Sequence, residues 1–301
     1  MKGISESQRQ TEETFGFKWK KRDTYESPAM QMEWKRWLFE KYFDGDPSRL
    51  NSLLHQHGGS KRILDAGCGS GGSGLLLFGE HLVNHDYFGV DLSEAVHVAK
   101  ERFDEKGYAG TFVKCDLCAI PEKYGQFDII FSEGVLHHTD SVENAIIQLS
   151  KRLKPGGNFL FYVYSKKAPI REFTDDLIRD AISPMNNEDA WKALEPLSRL
   201  GKTLGDLNIE IDVDESIPYL GIEKGRYNLQ RLFYYKVCKS YYRPDYSLDE
   251  MNHINFDWFR PANCHRHTPE EITDYCKKAR LAIERMHVED SGITVIAANK
   301  K

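Results

Sequence analysis

The chain has 301 residues, 40% of them hydrophobic and 29% charged, with 41 Lys and Arg against 46 Asp and Glu, a formal net charge of −5. This is an ordinary globular composition, long enough for one large or two small cores, and it excludes a disordered or collagen-like chain. No apolar run nears the roughly 18 to 20 residues a membrane helix needs, and the net negative charge gives no global attraction to nucleic acid. Neither a membrane nor a nucleic acid is therefore the expected partner. The six cysteines, Cys68, Cys115, Cys118, Cys238, Cys264 and Cys276, are too few for a disulfide scaffold. With a polar stretch from Met1 to Gln10 lacking an apolar signal core, they predict a reduced, cytoplasmic protein.

Along the chain, Phe15, Phe17 and Trp19 alternate with polar residues, which predicts a short extended segment. Apolar spacing from Met30 to Phe43 predicts a helix, and a second one runs from Pro47 to His55 before Gly58 and Gly59 break the chain. Strand and helix signals then alternate. Strands are predicted at Arg62–Leu64, Tyr87–Val90, Thr111–Val113, Phe127–Phe131 and Phe159–Tyr164. Ser93 predicts a capped helix start, with the helix reaching about Lys106. Val142, Ile146, Leu149 and Leu153 predict one face of a helix over Asp140–Leu153, stopped by Pro155-Gly156-Gly157. Strands apolar on both faces and alternating with helices imply a parallel sheet covered on both sides.

From residue 165 the signals are helical, at Ile170–Ile182, Asp189–Leu207 and Leu229–Tyr242, where Phe233, Tyr234 and Tyr241 would share a face. Thr268-Pro269 starts a further helix, and Ala282–Val288 and Ile293–Ala297 form a hairpin around Asp290-Ser291-Gly292. The chain thus divides into an N-terminal arm with helices over 1–56, a core over 57–164 and 259–301, and a mainly helical insert over 165–258.

The chemistry concentrates in Ile63-Leu64-Asp65-Ala66-Gly67-Cys68-Gly69-Ser70-Gly71-Gly72-Ser73-Gly74, between a strand and a helix, where doubly wound sheets bind cofactors. Glycines there allow tight turns and close ligand approach, although Gly69, Gly71 and Gly74 as G-x-G-x-x-G suit several nucleotide ligands. Asp65 before the first glycine suits an ammonium and repels a pyrophosphate. Asp91 ends the next strand and can accept from a ribose diol, and Asp116 ends the third, where it can accept from an adenine amino group. Three carboxylates at three consecutive strand ends match a ligand with an ammonium, a ribose and an adenine.

These segments resemble the class I S-adenosylmethionine-dependent methyltransferases. The glycine segment is similar to the family's first motif, Asp91-Leu92 to its ribose acid and neighbour, and Asp116-Leu117 to its adenine-flanking pair. Phe127-Asp128-Ile129-Ile130-Phe131-Ser132-Glu133-Gly134-Val135-Leu136-His137-His138 is similar to its fourth-strand motif, and Leu153-Lys154-Pro155-Gly156-Gly157 to the turn into its fifth strand. The resemblance covers about 60–164 well and 259–298 more loosely. It implies a three-layer α/β Rossmann-like fold with a seven-stranded sheet, mostly parallel, whose last strand is antiparallel. It also implies S-adenosyl-L-methionine as cofactor, S-adenosyl-L-homocysteine as product, and Asp65, Gly67, Cys68, Gly69, Gly71, Asp91, Leu92, Asp116, Leu117, Ser132 and Glu133 as cofactor-binding residues. Asp128 is expected to be structural.

Glu133, His137 and His138 follow the fourth strand at the edge where such sheets do chemistry, and are the catalytic candidates. His138 is the first choice to face substrate, because imidazole exchanges protons near neutral pH. Phe256–His267 returns from the insert to the core, and there Arg260, His265 and His267 are candidates to hold a phosphate or carboxylate of the acceptor. Cys115 and Cys118 have C-x-x-C spacing with no second pair, and no metal is expected. The resulting expectation is methyl transfer to a small molecule, foremost to oxygen of a sugar, a nucleotide-linked sugar or a secondary metabolite. A tRNA or protein methyltransferase and a non-catalytic cofactor-binding subunit stand as alternatives.

Overall fold

Nine strands and eleven α-helices order the chain in the computed structural model, which describes residues 4–56 and 58–300. The first residues of the predicted arm, His57 at the start of the predicted core and the last residue lie outside that description. In order the elements are α1 (Glu6–Trp19), α2 (Pro28–Phe43), α3 (Pro47–His55), β1 (Arg62–Ala66), α4 (Gly72–Phe78), β2 (Asp86–Asp91), α5 (Ala95–Glu105), β3 (Thr111–Lys114), β4 (Phe127–Glu133) and α6 (Val142–Ser150). There follow β5 (Leu153–Tyr164), α7 (Pro169–Ile182), α8 (Asn187–Asp206), β6 (Glu210–Val213), β7 (Gly225–Asn228), α9 (Leu229–Lys236), α10 (Leu248–Phe259), α11 (Pro269–Lys278), β8 (Leu281–Val288) and β9 (Gly292–Asn299).

Two units divide these elements. The first holds residues up to Lys20, Gln31–Ser165 and Asn263 onward; the second holds Lys21–Met30 and Lys166–Ala262. The chain thus crosses at 165/166 and 262/263, and residues 31–56 group with the sheet while 21–30 group with the insert.

In the first unit a seven-stranded sheet runs in the order β3-β2-β1-β4-β5-β9-β8. β1 to β5 pair in parallel, and β9 is antiparallel to both β5 and β8. Its strands are β-branched and aromatic runs such as Phe127–Phe131 and Phe159–Val163, which favour a pleated surface buried on both sides. Leu64, Ile130, Phe161 and Val295 pack with α6 and α11 on one face. Ile63, Phe131, Leu160 and Tyr87 pack with α3, α4 and the C-terminal part of α2 on the other. This is the three-layer Rossmann-like fold that the resemblance implies.

The structure corrects four local readings. Phe15, Phe17 and Trp19 lie on α1, not on an extended segment. The stretch is rich in Glu and Gln without proline, Ser5 caps it by accepting from Gln8 N, and Lys18 Nζ lies 3.8 Å from the Trp19 ring centroid. Ser93 stands one residue before the cap position of α5, which Glu94 takes; its hydroxyl accepts from Ala95 N at 3.2 Å, at the start of the helix, and donates to Asp91 Oδ1 at 2.7 Å. Leu153 belongs to β5, where it pairs with Phe127; the register then jumps to Ile129 opposite Asn158, so Pro155-Gly156-Gly157 is a bulge inside the strand's span. The helix read through Tyr242 stops at Lys236 as α9, leaving Tyr241 off the helix with its ring 6.1 Å from that of Tyr234.

The second unit is α7 to α10 with an antiparallel β6–β7 ribbon that the helical reading of the insert did not include. α10 reaches Phe259, so the first part of the predicted connecting loop is helix. No helix among the described residues is long and apolar enough to cross a membrane.

Candidate functional site

The loop between β1 and α4 takes its shape from glycine. Gly67, Gly69 and Gly71 have φ of +86°, +50° and +77°, values that side chains rarely adopt. A Cβ on Gly69 would lie 2.9 Å from Trp19 Nε1, and one on Gly67 would strike the Val135 side chain. The N–H groups of Gly67 and Cys68 both donate to Val90 O, at 2.7 and 2.8 Å, which ties the loop to the end of β2. Cys68 is buried and contributes through its backbone. Gly71 starts α4 from a left-handed conformation, with its N–H on Cys68 O at 2.8 Å.

Three carboxylates stand at the ends of β1, β2 and β3, as the sequence predicts. Asp91 accepts from Gly69 N at 2.9 Å, Ser93 N at 2.8 Å and Ser93 Oγ at 2.7 Å. Burial raises its pKa, and those hydrogen bonds oppose the rise. Asp65 is buried and accepts from the Tyr87 hydroxyl; burial pushes its pKa up to about 7, against the pull of that hydrogen bond. Asp116 is partly exposed and caps the Leu117–Ala119 turn by accepting from Cys118 N at 2.8 Å. Leu117 packs into the core beside it, and Leu92 is half-buried after Asp91. Cys115 and Cys118 are free thiols, pushed up to about 11 and about 12 by burial first and then by Asp116. No metal-binding cluster of His, Cys, Asp and Glu occurs among the described residues.

At the end of β4, Ser132 Oγ donates to Ala66 O at 2.7 Å, so it ties β4 to β1. Glu133 is buried and accepts from Lys41 Nζ and, at 2.8 Å, from Tyr42 Oη. Lys41 is itself fully buried, 3.3 Å from the Trp37 ring centroid and 4.1 Å from that of Tyr162. Burial lowers its pKa to about 8, with Glu133 opposing. Asp128, at the start of β4, accepts from Arg62 N and Lys154 Nζ, both at 2.8 Å, which is the structural part expected of it.

The histidines gather around Tyr164. The His137 ring stacks on it at 3.6 Å and lies 4.3 Å from the His138 ring. His265 N donates to His137 O, and His267 N to Tyr164 O, both at 2.9 Å. His138 Nδ1 lies 2.7 Å from Asn263 O. A carbonyl can only accept, so Nδ1 carries the proton and Nε2 is the basic nitrogen of the neutral ring. Phe15 packs edge-on against His138 at 4.9 Å, and Gln8 Nε2 donates to His138 O at 3.3 Å. Arg260 belongs to the second unit, where Nε donates to Asn187 Oδ1 at 2.9 Å and Nη2 to Met185 O at 2.7 Å. Its fork closes the α7–α8 turn.

Sequence reasoning missed Lys41, Tyr42 and Tyr87. For the first two the signal was present, a lysine inside the apolar helix Met30–Phe43, though nothing local gave its partner.

The three acids and the left-handed glycines fit S-adenosylmethionine. A carboxylate offers about four acceptor positions, of which Asp91 has three engaged. One acceptor position is thus left on Asp91. Residues 64–161 match the family model described as "Methyltransferase domain". That stretch of the chain is a methyltransferase domain. It is 34% identical over 128 residues to the ubiquinone biosynthesis O-methyltransferase of Marinobacter nauticus, a match covering 40% of this chain and 51% of that one. It is 29% identical over 206 residues to the sterol 24-C-methyltransferase of Kluyveromyces lactis, covering 60% and 53%. It is 29% identical over 157 residues to the human protein named "Probable tRNA methyltransferase 9B", covering 51% and 32%. The match thus spans about half, or less, of the length of these relatives. In this methyltransferase domain Asp65, Asp91 and Glu133 lie at one sheet edge with the histidine cluster, the arrangement that donor and acceptor chemistry need.

Proposed function

We propose that the protein transfers a methyl group from S-adenosylmethionine to a hydroxyl of a small molecule, of the class of a sugar, a nucleotide-linked sugar or a secondary metabolite. The observation that carries this reading is α1, which covers the site within the first unit: Trp19 stands against Gly69, and Phe15 against His138. A site closed over both its glycine loop and its histidine suits an acceptor that fits inside, and an O-methyltransferase stands among the similar proteins.

The cofactor, when bound, supplies an electrophilic methyl carbon on a sulfonium. The chain's own residues then position the reactants and move one proton. Asp91 orients the ribose and Asp116 the adenine edge. Asp65 faces the ammonium end. Glu133, bound by Lys41 and Tyr42, fixes α2 against β4 and acts as a positioning residue. An alcohol must lose its proton as it attacks, and His138 takes it at Nε2, a contribution of typically 10² to 10⁴-fold. His137, stacked on Tyr164, holds the geometry, and His265 and His267 line the acceptor side.

The test is methyl transfer from tritiated S-adenosylmethionine into an extract of the source cells, split by acid precipitation, with His138→Ala in parallel. Soluble label that falls at least about 100-fold in the variant, with cofactor affinity kept, supports the reading. Label in the precipitate gives the function to RNA or protein methylation. Cofactor binding without label in either fraction makes the protein a non-catalytic subunit.

A further inference from the structure

Asn263 joins three parts of the first unit. Its carbonyl accepts from His138 Nδ1 at 2.7 Å, and its N–H donates to Thr11 Oγ1 on α1 at 3.1 Å. Its side-chain amide donates to Asp140 Oδ1 at 2.9 Å and to Gln8 Oε1 at 3.4 Å. Asp140 Oδ1 in turn accepts at 2.6 Å from Ser5 Oγ, the cap of α1, and Gln8 Nε2 donates to His138 O at 3.3 Å. Ser5, Gln8 and Thr11 recur every third residue, so one face of α1 is tied to the turn that carries His138. Asn263 is 7% exposed and Thr11 2%, so water is a poor substitute for either partner. The segment that follows is held from the sheet side, by His265 N on His137 O and His267 N on Tyr164 O. Asn263 is held from α1.

This wiring bears on proton transfer. A neutral imidazole accepts a proton at Nε2 only while Nδ1 carries the other one, and the partner of Nδ1 decides that. Here the partner is the Asn263 carbonyl, and Thr11 holds the N–H of the same residue. A buried N–H that loses its acceptor is costly, so the backbone moves to satisfy it and the carbonyl moves too. Both neutral tautomers then open to His138, and its ring is free to turn. Phe15 acts on the same ring, edge-on at 4.9 Å, and Trp19, one turn further along α1, stands against Gly69 of the glycine loop. α1 therefore reaches the cofactor loop, the ring of His138 and, through Asn263, its Nδ1. Seating α1 covers the site and aligns the base in a single step, as a closing element that completes a catalytic constellation does.

We propose that Asn263 is a positioning residue that makes the tautomer of His138 depend on α1 being seated, so that the base is aligned only when the site is covered. This role rests on His138 acting as the base. The test is proton–nitrogen correlation spectroscopy of the full chain, isotope-labelled at its histidine nitrogens and saturated with S-adenosylhomocysteine, at about pH 8, where an ordinary imidazole is neutral. His138→Ala identifies the His138 signals by their loss. Thr11→Val keeps the shape and removes the acceptor of Asn263 N–H. Asn263→Asp sets a second carboxylate against that of Asp140, and the combined Asn263→Asp/Asp140→Asn chain again has a donor facing an acceptor. An unchanged circular dichroism spectrum and retained S-adenosylhomocysteine binding establish that a variant is folded, and Thr11→Val carries the test if Asn263→Asp is not. The expected result is a single tautomer protonated at Nδ1 in the wild type, loss of that single state in Thr11→Val and in Asn263→Asp, and its return in the combined chain. Methyl transfer into the soluble fraction at saturating S-adenosylmethionine should fall about 10-fold or more in Thr11→Val. A wild type protonated at Nε2, or a His138 that keeps its Nδ1 proton in the folded variants, overturns the coupling, whatever the transfer rate of His138→Ala. Undiminished transfer in His138→Ala removes the base itself, and Asn263's role with it, whatever the tautomers show.

Discussion

Replacing Asp65 by Asn tests whether the carboxyl before the glycine loop is held as an acid. It is buried against the Tyr87 hydroxyl, and burial moves it from its ordinary 3.8 to about 7. Keeping it ionised in place therefore costs about 4 kcal/mol at most. The sign follows from where each state binds its proton. The unfolded chain releases it near the ordinary value and the native chain holds it to about pH 7, so stability falls as pH rises between the two. From about pH 5 to about pH 7 this group alone removes roughly 2 kcal/mol, and its contribution flattens above about pH 8. Asn keeps the shape and the bond to Tyr87 but has no proton to lose. Urea midpoints of wild type and Asp65→Asn at several pH values give the difference directly, since every other titrating group cancels. The two should converge in stability toward acid and separate toward neutral pH in favour of the variant. The cofactor's ammonium end adds a second readout. A positive charge near Asp65 draws off its proton, so calorimetry near pH 6, in two buffers of different ionisation enthalpy, should show proton release on binding S-adenosylhomocysteine in wild type and none in the variant. Parallel stability curves from about pH 5 to about pH 8 would refute the reasoning.

Asp91→Ala leaves the buried N–H groups of Gly69 and Ser93 without their carboxylate and removes the ribose partner; affinity for S-adenosylhomocysteine should fall by about 1.5 to 3 kcal/mol, measured by calorimetry. Gly69→Ala places a methyl group 2.9 Å from Trp19 Nε1 at a φ of +50°, and should lower both cofactor affinity and the melting temperature, whereas Gly45→Ala, left-handed but in open space, should affect stability alone. Lys41→Met leaves Glu133 buried without its cation and Glu133→Gln does the converse. Each should cost about 3 to 5 kcal/mol in urea unfolding, and the double variant less than either, because it removes both charges.

The sheet was legible because its signal is local. Each strand is a short apolar run, and the turns into it contain Gly, Pro or Asp, so β1 to β5 and the β8–β9 hairpin follow from spacing. The carboxylates of Asp65, Asp91 and Asp116 were placed by the same logic, at or just past the ends of consecutive strands. α1 was misread because two periods fit one segment: Phe15, Phe17 and Trp19 recur every second residue, and Phe15 and Trp19 are also four apart, as a helix requires. The cap at Ser5 and the run of Glu and Gln decide for helix. Leu153 failed for a related reason, since it continues the spacing of Leu149 while its backbone pairs with Phe127. Lys41–Glu133 and Tyr87–Asp65 lie 92 and 22 residues apart in sequence, and no window sees such a pair. A guanidinium in a His-rich segment carries no mark of its partners; those of Arg260 include the carbonyl of Met185 and the side chain of Asn187, supplied by a turn about 75 residues away.

The acids at this sheet edge pose an electrostatic problem, and the fold solves it three ways. Asp65, Asp91 and Glu133 are close enough that Asp91 and Glu133 both push the Asp65 pKa up. Three buried carboxylates with like charge would oppose one another and lose their hydration. Asp91 accepts from three donors, one on the glycine loop and two on Ser93, which oppose the rise that burial causes. Glu133 is met by Lys41, whose ammonium stands against the Trp37 and Tyr162 rings. Asp65 has neither a cation nor a set of backbone donors, only a phenol, and it keeps its proton instead. Of the three it is therefore the acid whose charge changes most when a cation arrives. A ligand with an ammonium end completes this site electrostatically, where a pyrophosphate would face Asp91 and Glu133 unaided. The preference for a sulfonium cofactor over a dinucleotide is in this sense built into how the acids are held before anything binds.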